Sequence, residues 1–157
     1  PYSEDKWEES QGADRYRRGL YTFTRRSAMY PAMMNFDATS REFCTVRRIR
    51  TNTPLQALTT LNDAAFFEAA QAFGERIVKE GGASDRERID YGFLLATGRR
   101  PQAQEADRML GWLAGERAYF AQHADEARRI AAGRPEQAPW TMLGNVLLNL
   151  DETLTKE

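Results

Sequence analysis

The sequence has a single cysteine, Cys44, and a single histidine, His123, in 157 residues. One cysteine excludes an internal disulfide and any multi-cysteine zinc site, and one histidine leaves little for imidazole-based catalysis or metal binding. No uninterrupted apolar run approaches the roughly 18 residues a membrane-spanning helix needs, and no leader-like segment opens the sequence. There is no P-loop, no dinucleotide glycine fingerprint, no Cys-x-x-Cys-His haem attachment site, no nucleophile elbow, no internal repeat and no low-complexity stretch. These absences remove nucleotide, haem and serine-hydrolase chemistry of the usual kinds from this stretch of chain.

Hydrophobic residues make up 41% and aromatic residues 11%, too many for a disordered chain, and the length fits one folded unit. The formal net charge of −1, from 22 basic and 23 acidic residues, hides an uneven distribution. Residues 1 to 14 carry −4, residues 15 to 50 carry +7 and residues 51 to 157 carry −4. The basic segment has nine cations, Arg15, Arg17, Arg18, Arg25, Arg26, Arg41, Arg47, Arg48 and Arg50, and no lysine, against only Asp37 and Glu42. Arginine offers a planar five-donor fork suited to carboxylate, phosphate or sulfate, and it tolerates partial burial better than lysine. Two readings follow: arginines paired with acids, helix ends or another part of a larger protein, or an anion-binding surface.

From Thr53 onward the spacing predicts helices. Thr53-Pro54-Leu55-Gln56 matches a capping box with proline at the first helical position. Leu55, Leu58, Leu61, Phe66, Phe73 and Ile77 then recur near helical spacing as an inward stripe, with a break at Asn62-Asp63, a cap at Asp63 and a stop at Gly81-Gly82. Ser84-x-x-Glu87 opens a helix with Ile89, Phe93 and Ala96 inward and Gly98 as its stop. Pro101 starts another, carrying Met109, Leu113, Phe120, Ala124 and Ala127, that runs to Gly133. The last, from about Pro139, sets Trp140, Leu143, Leu147, Leu150 and Leu154 on one stripe.

These helices predict a mainly α domain, a bundle of four to five helices over residues 53 to 157, with residues 1 to 52 as an arginine-rich extended arm. Within the arm, the alternation from Gly19 to Arg26 predicts a short strand, Tyr30-Pro31 breaks any helix, and Glu42 to Arg50 reads as a second short strand or a loop.

The arm supplies the candidate anion-binding residues Arg25, Arg26, Arg41, Arg47, Arg48 and Arg50. Asp37, Asn52, Gln56, Asn62 and Asp63 form a candidate polar site, although ion pairing explains Asp37 and helix capping explains Asn62-Asp63 equally well. Cys44 lies near Arg47 and Arg48, which can lower a thiol pKa, but lone cysteines are commonly small buried hydrophobes. His123 has no metal partner near it in sequence and reads as structural. Gly111-x-x-x-Gly115 allows close helix packing and, in polar surroundings, is no membrane dimerisation motif.

Tyr16-Arg17-Arg18-Gly19-Leu20-Tyr21-Thr22-Phe23, Arg25-Arg26-Ser27, Phe36-Asp37-Ala38 and Arg41-Glu42 carry a resemblance to a known family, continued by Cys44-Thr45-Val46-Arg47-Arg48, Arg50 to Leu58 and Leu61-Asn62-Asp63. Together they resemble the domain of unknown function 1553, also called the planctomycete-specific PSD1 domain. The closing residues from Trp140 to Glu157 are similar to that family's C-terminal helix. The resemblance implies the C-terminal part of a larger, extracytoplasmic, multidomain protein, with other domains upstream and often a c-type cytochrome module elsewhere. No haem is expected in this stretch, and no catalytic residue carries over, because the family has no settled activity.

The expectation is an accessory or binding module that meets an anionic polysaccharide, sulfated or uronate, or the upstream domains of the same polypeptide, through its arginine face. The alternative is part of an extracytoplasmic redox enzyme acting on carbohydrate, with Asp37, Arg47 and Asn62 lining a shared site. Nucleic acid is not an expected partner, since the charge is present without a recognition fold.

Overall fold

The computed structural model describes residues 10 to 22, 29 to 39, 43 to 47 and 51 to 155. The chain divides into two compact units, Pro1–Ile49 and Arg50–Glu157. Among the described residues every regular element is helical.

The first unit holds two 3-10 turns, Gly12–Tyr16 and Gly19–Tyr21, and the short helix α1, Pro31–Asn35. The strand expected from Gly19 is replaced, over its described part, by the second turn: Tyr21 N–H donates to the Arg18 carbonyl at 2.9 Å and Thr22 N–H to that of Gly19 at 3.2 Å. A lone strand leaves its backbone groups unpaired, whereas a tight turn satisfies them locally. The remainder of that alternation, residues 23 to 26, lies outside the described residues. Gly19 also lies close against α1, where an added Cβ would stand 3.3 Å from Met33 Cε. The Tyr30-Pro31 pair does not merely break structure; it begins α1, with Pro31 in the first turn, where its missing N–H leaves no bond unmade.

The second unit contains α2 (Pro54–Asn62), α3 (Ala64–Glu80), α4 (Asp85–Thr97), α5 (Ala103–Gln122), α6 (Ala124–Ile130), α7 (Ala138–Leu148) and α8 (Asp151–Leu154). The expected caps form. Ser84 Oγ accepts from Glu87 N–H at 3.3 Å while Glu87 returns to Ser84 N–H at 2.9 Å. Gly98 ends α4 at φ 84°, a left-handed conformation that glycine adopts without strain.

Two predicted helices divide. The one starting near Pro101 bends at His123, which separates α5 from α6, and its N–H takes the tighter bond to the Phe120 carbonyl. The last one ends at Leu148, and Asp151–Leu154 follows as a separate turn after Asn149 and Leu150.

The core is built around α7. Leu143 and Leu147 are fully buried with Ile77 of α3, Ile89 and Phe93 of α4, and Ala106 and Leu113 of α5. A smaller cluster joins Phe120, Ala127, Ala131 and Ala138. The helix crossing between α3 and α7 depends on two missing side chains. A Cβ on Gly74 would stand 2.7 Å from the Trp140 carbonyl group, and one on Gly144 would stand 2.7 Å from the Ala70 carbonyl oxygen. Backbones that approach this closely leave no room for a methyl group.

The inward stripe expected on α2 is reversed. Leu55, Leu58 and Leu61 are 54%, 58% and 40% exposed, while Gln56 and Thr60 are buried.

Candidate functional site

The candidate residues fall in both units, and each unit is taken by itself. In the first, Arg47 is exposed, and Arg25, Arg26, Arg41 and Arg48 lie outside the described residues, as does Arg50 at the start of the second. Arg17 and Arg18 are also exposed, and Arg17 Nε pairs with Asp14 Oδ1 at 2.5 Å. Both side chains of that pair are more than half exposed, so it contributes little to stability. Cys44 is exposed, not a small buried hydrophobe, as are its neighbours Phe43, Thr45 and Val46.

Asp37 follows α1 at φ 58°, the left-handed region that aspartate enters more readily than most residues, and its N–H donates to the Met34 carbonyl at 3.2 Å. It is half-buried. Its backbone conformation therefore gives it a turn-forming role at the exit of α1.

In the second unit the polar candidates sit around α2, and each has a different partner. Gln56 closes the predicted capping box: its Oε1 accepts from Thr53 N–H at 2.9 Å, and its own N–H donates to Thr53 Oγ1 at 3.3 Å. Its Nε2 also donates to Thr51 Oγ1 at 3.0 Å, which satisfies a buried amide on both sides. Asn52 Nδ2 donates to Asp151 Oδ1 in α8. Asn62 Nδ2 donates to the Leu58 carbonyl at 2.9 Å, and Asp63 Oδ1 accepts from Ala65 N–H at 2.9 Å to cap α3. Asn52, Gln56, Asn62 and Asp63 hold helix ends and tie α2 to the chain around α8. They do not converge on one point.

Sequence reasoning missed the residues that complete this arrangement. Thr60, turned inward beside Gln56, donates to Asn149 Oδ1 at the end of α7. With the Asn52–Asp151 bond, this makes two polar links from residues 52 to 60 to residues 149 to 151. The available signal was the spacing of Gln56 and Thr60, four apart and so on one helix face. Nothing local identified Asn149 as the partner.

The ion pairs of this unit are more developed. Arg99 grips Glu105 with two bonds of 2.8 Å and Glu152 with bonds of 2.8 and 2.6 Å, joining the end of α4 to α5 and α8. The Arg99 guanidinium, helped by Gln102 N–H, holds the Glu105 carboxyl down at about 2. Arg117 forks onto Asp85 at 2.5 and 2.8 Å, and this contact first, with Arg88 adding to it, keeps the Asp85 carboxyl below its ordinary range. Arg88 and Arg117 also lie 5.7 and 5.6 Å from the centroid of the buried Trp140 ring, within cation–π distance. Arg88, Arg99 and Arg117 are thus held by acids and, for Arg88 and Arg117, by an aromatic ring. Among the described residues no cluster of three or more His, Cys, Asp or Glu is placed to hold a metal ion, and no helix is long and apolar enough to cross a membrane.

A family model described as PSD1, protein of unknown function (DUF1553), matches residues 1–113. The chain belongs to this family. The DUF1553 match contains every candidate arginine and polar residue named above and stops within α5. The similarity of Trp140 to Glu157 to the family's closing helix lies beyond the matched residues. No curated protein and no solved structure matches the chain.

Proposed function

We propose that this DUF1553 chain is an accessory binding module whose arginine-rich segment, residues 15 to 50, engages an anionic partner: a sulfated or uronate polysaccharide, or an upstream part of the same polypeptide. The observation that carries this reading is the +7 charge over residues 15 to 50, supplied by arginine alone, with Arg17, Arg18 and Arg47 exposed. Clustered guanidinium groups recognise carboxylate and sulfate through paired hydrogen bonds. In this reading the module works outside the cytoplasm as the C-terminal part of a larger protein, which rests on the family resemblance.

Titration with a sulfated glycan such as heparin over a salt series tests it. Affinity falls as ionic strength rises, and Arg17→Gln, Arg18→Gln and Arg47→Gln weaken it together. Absent or salt-independent binding overturns the polysaccharide form of the reading.

A further inference from the structure

Charge alone does not describe the first unit. None of its described residues is buried. Leu20 is 73% exposed, Tyr21 66%, Met34 59% and Tyr30 42%, and farther along Phe43 reaches 77%. Four of these lie on α1, at its cap or in the turn beside it. Gly19, at the start of the second 3-10 turn, lies against Met33 of α1, so Leu20 and Tyr21 are carried beside that helix. Tyr30 and Met34 are four residues apart at its start, with the Met34 N–H donating to the Tyr30 carbonyl at 3.3 Å. They share a face. Arg18 caps the turn that bears Leu20 and Tyr21, and Arg17 precedes it.

Tyrosine, methionine, phenylalanine and arginine, without lysine, are the residue types enriched at the centre of protein interfaces. A sulfated or uronate glycan complements the guanidinium groups and can stack on tyrosine, but it offers little that removes Leu20 and Met34 from water. A lipid surface favours a continuous amphipathic helix, and the described elements here are two 3-10 turns and a five-residue helix. A polypeptide surface rich in carboxylates supplies both bidentate acceptors and apolar side chains.

Resting on the anion-binding reading above, we propose that the first unit docks on an acidic polypeptide surface that also carries apolar side chains, with Leu20, Tyr21, Tyr30 and Met34 at its centre and Arg17 and Arg18 at its edge. The carboxylates bring the partner in, and the apolar contact holds it when salt screens the charges.

The full 157-residue chain is titrated with a random glutamate–tyrosine copolymer, poly-glutamate, heparin and phosphatidylglycerol vesicles, at about 0.05 M and about 0.5 M salt. At the higher salt the copolymer binds at least about tenfold tighter than poly-glutamate. Leu20→Ser with Met34→Ser removes that advantage and leaves the melting temperature unchanged, since both side chains are exposed. Equal affinity for the two polypeptides, or tighter binding of heparin or vesicles at the higher salt, overturns the proposal. If heparin binding at low salt persists in that case, the anion-binding reading stands without it. If none of the four probes binds at low salt, both fail.

Discussion

Helices α2 and α7 belong to the same unit, both carry a proline in their first turn, and both bear leucines at helical spacing, yet they bury opposite residues. On α7 the leucines Leu143 and Leu147 are fully buried, and Trp140, Gly144 and Asn145 are buried with them. On α2 the leucines face solvent and the buried positions are Gln56 and Thr60. Apolar periodicity marks a stripe, but contact with neighbours decides whether that stripe or the polar one is covered. On α2 the polar face wins because its groups find specific partners. Gln56 bonds Thr53 and Thr51, and Thr60 bonds Asn149. A buried amide or hydroxyl so satisfied costs little, whereas the same group left unpaired costs about 1 to 3 kcal/mol.

The largest test of this contrast compares leucines. Leu147→Ala opens a cavity in a fully buried site and lowers unfolding free energy by about 3 kcal/mol, while Leu58→Ala changes it by less than about 0.5 kcal/mol. Urea titration reads both, and equal losses would mean that α2 buries its leucines after all.

Next comes the close approach that lets α7 bury its face. Gly144→Ala forces a methyl group toward the Ala70 carbonyl and destabilises by about 2 kcal/mol, measured the same way. A neutral result would show that α3 and α7 can separate without cost.

On the polar side, Gln56→Ala strands the Thr53 N–H and the Thr51 hydroxyl contact and costs about 1 to 2 kcal/mol. If Gln56→Leu proves more stable than the parent chain, the polar face of α2 is not held by these bonds.

The smallest effect lies in the ion pair that ties α4 to α5. Glu105 has its carboxyl lowered from 4.5 to about 2 in the folded chain, so its stabilising contribution is complete above 4.5 and is lost as the pH falls toward 2. Thermal melts of Glu105→Gln show a lower melting temperature than the parent above about pH 5 and a gap that closes as the pH falls toward about 2. A gap that stays constant down to about pH 2 would assign the contribution to something other than this titration.

Helix starts and stops were the most legible features. The Thr53–Gln56 and Ser84–Glu87 boxes, the Asp63 cap and the Gly98 stop all form where the residues call for them, because each depends on partners within three residues or so. The division at His123 and the separation of α8 were not legible, since nothing in the apolar spacing marks either break. The capping function of Asn62-Asp63 was an open reading that the geometry supports, with Asp63 on the first N–H groups of α3. Asn52 could not be read in the same way, because its partner Asp151 lies 99 residues away.

By itself the sequence determined the predominance of helix, the positions of the helix caps, the DUF1553 signature and the arginine-only charge of residues 15 to 50. These are set by composition or by residues close together in the chain. Tertiary structure alone decided which face of α2 is covered, that Gly74 and Gly144 admit two backbones into contact, and that Arg88 and Arg117 flank Trp140. Those outcomes depend on the energy of meeting a residue far away in sequence, and that energy exists only once the helices have packed.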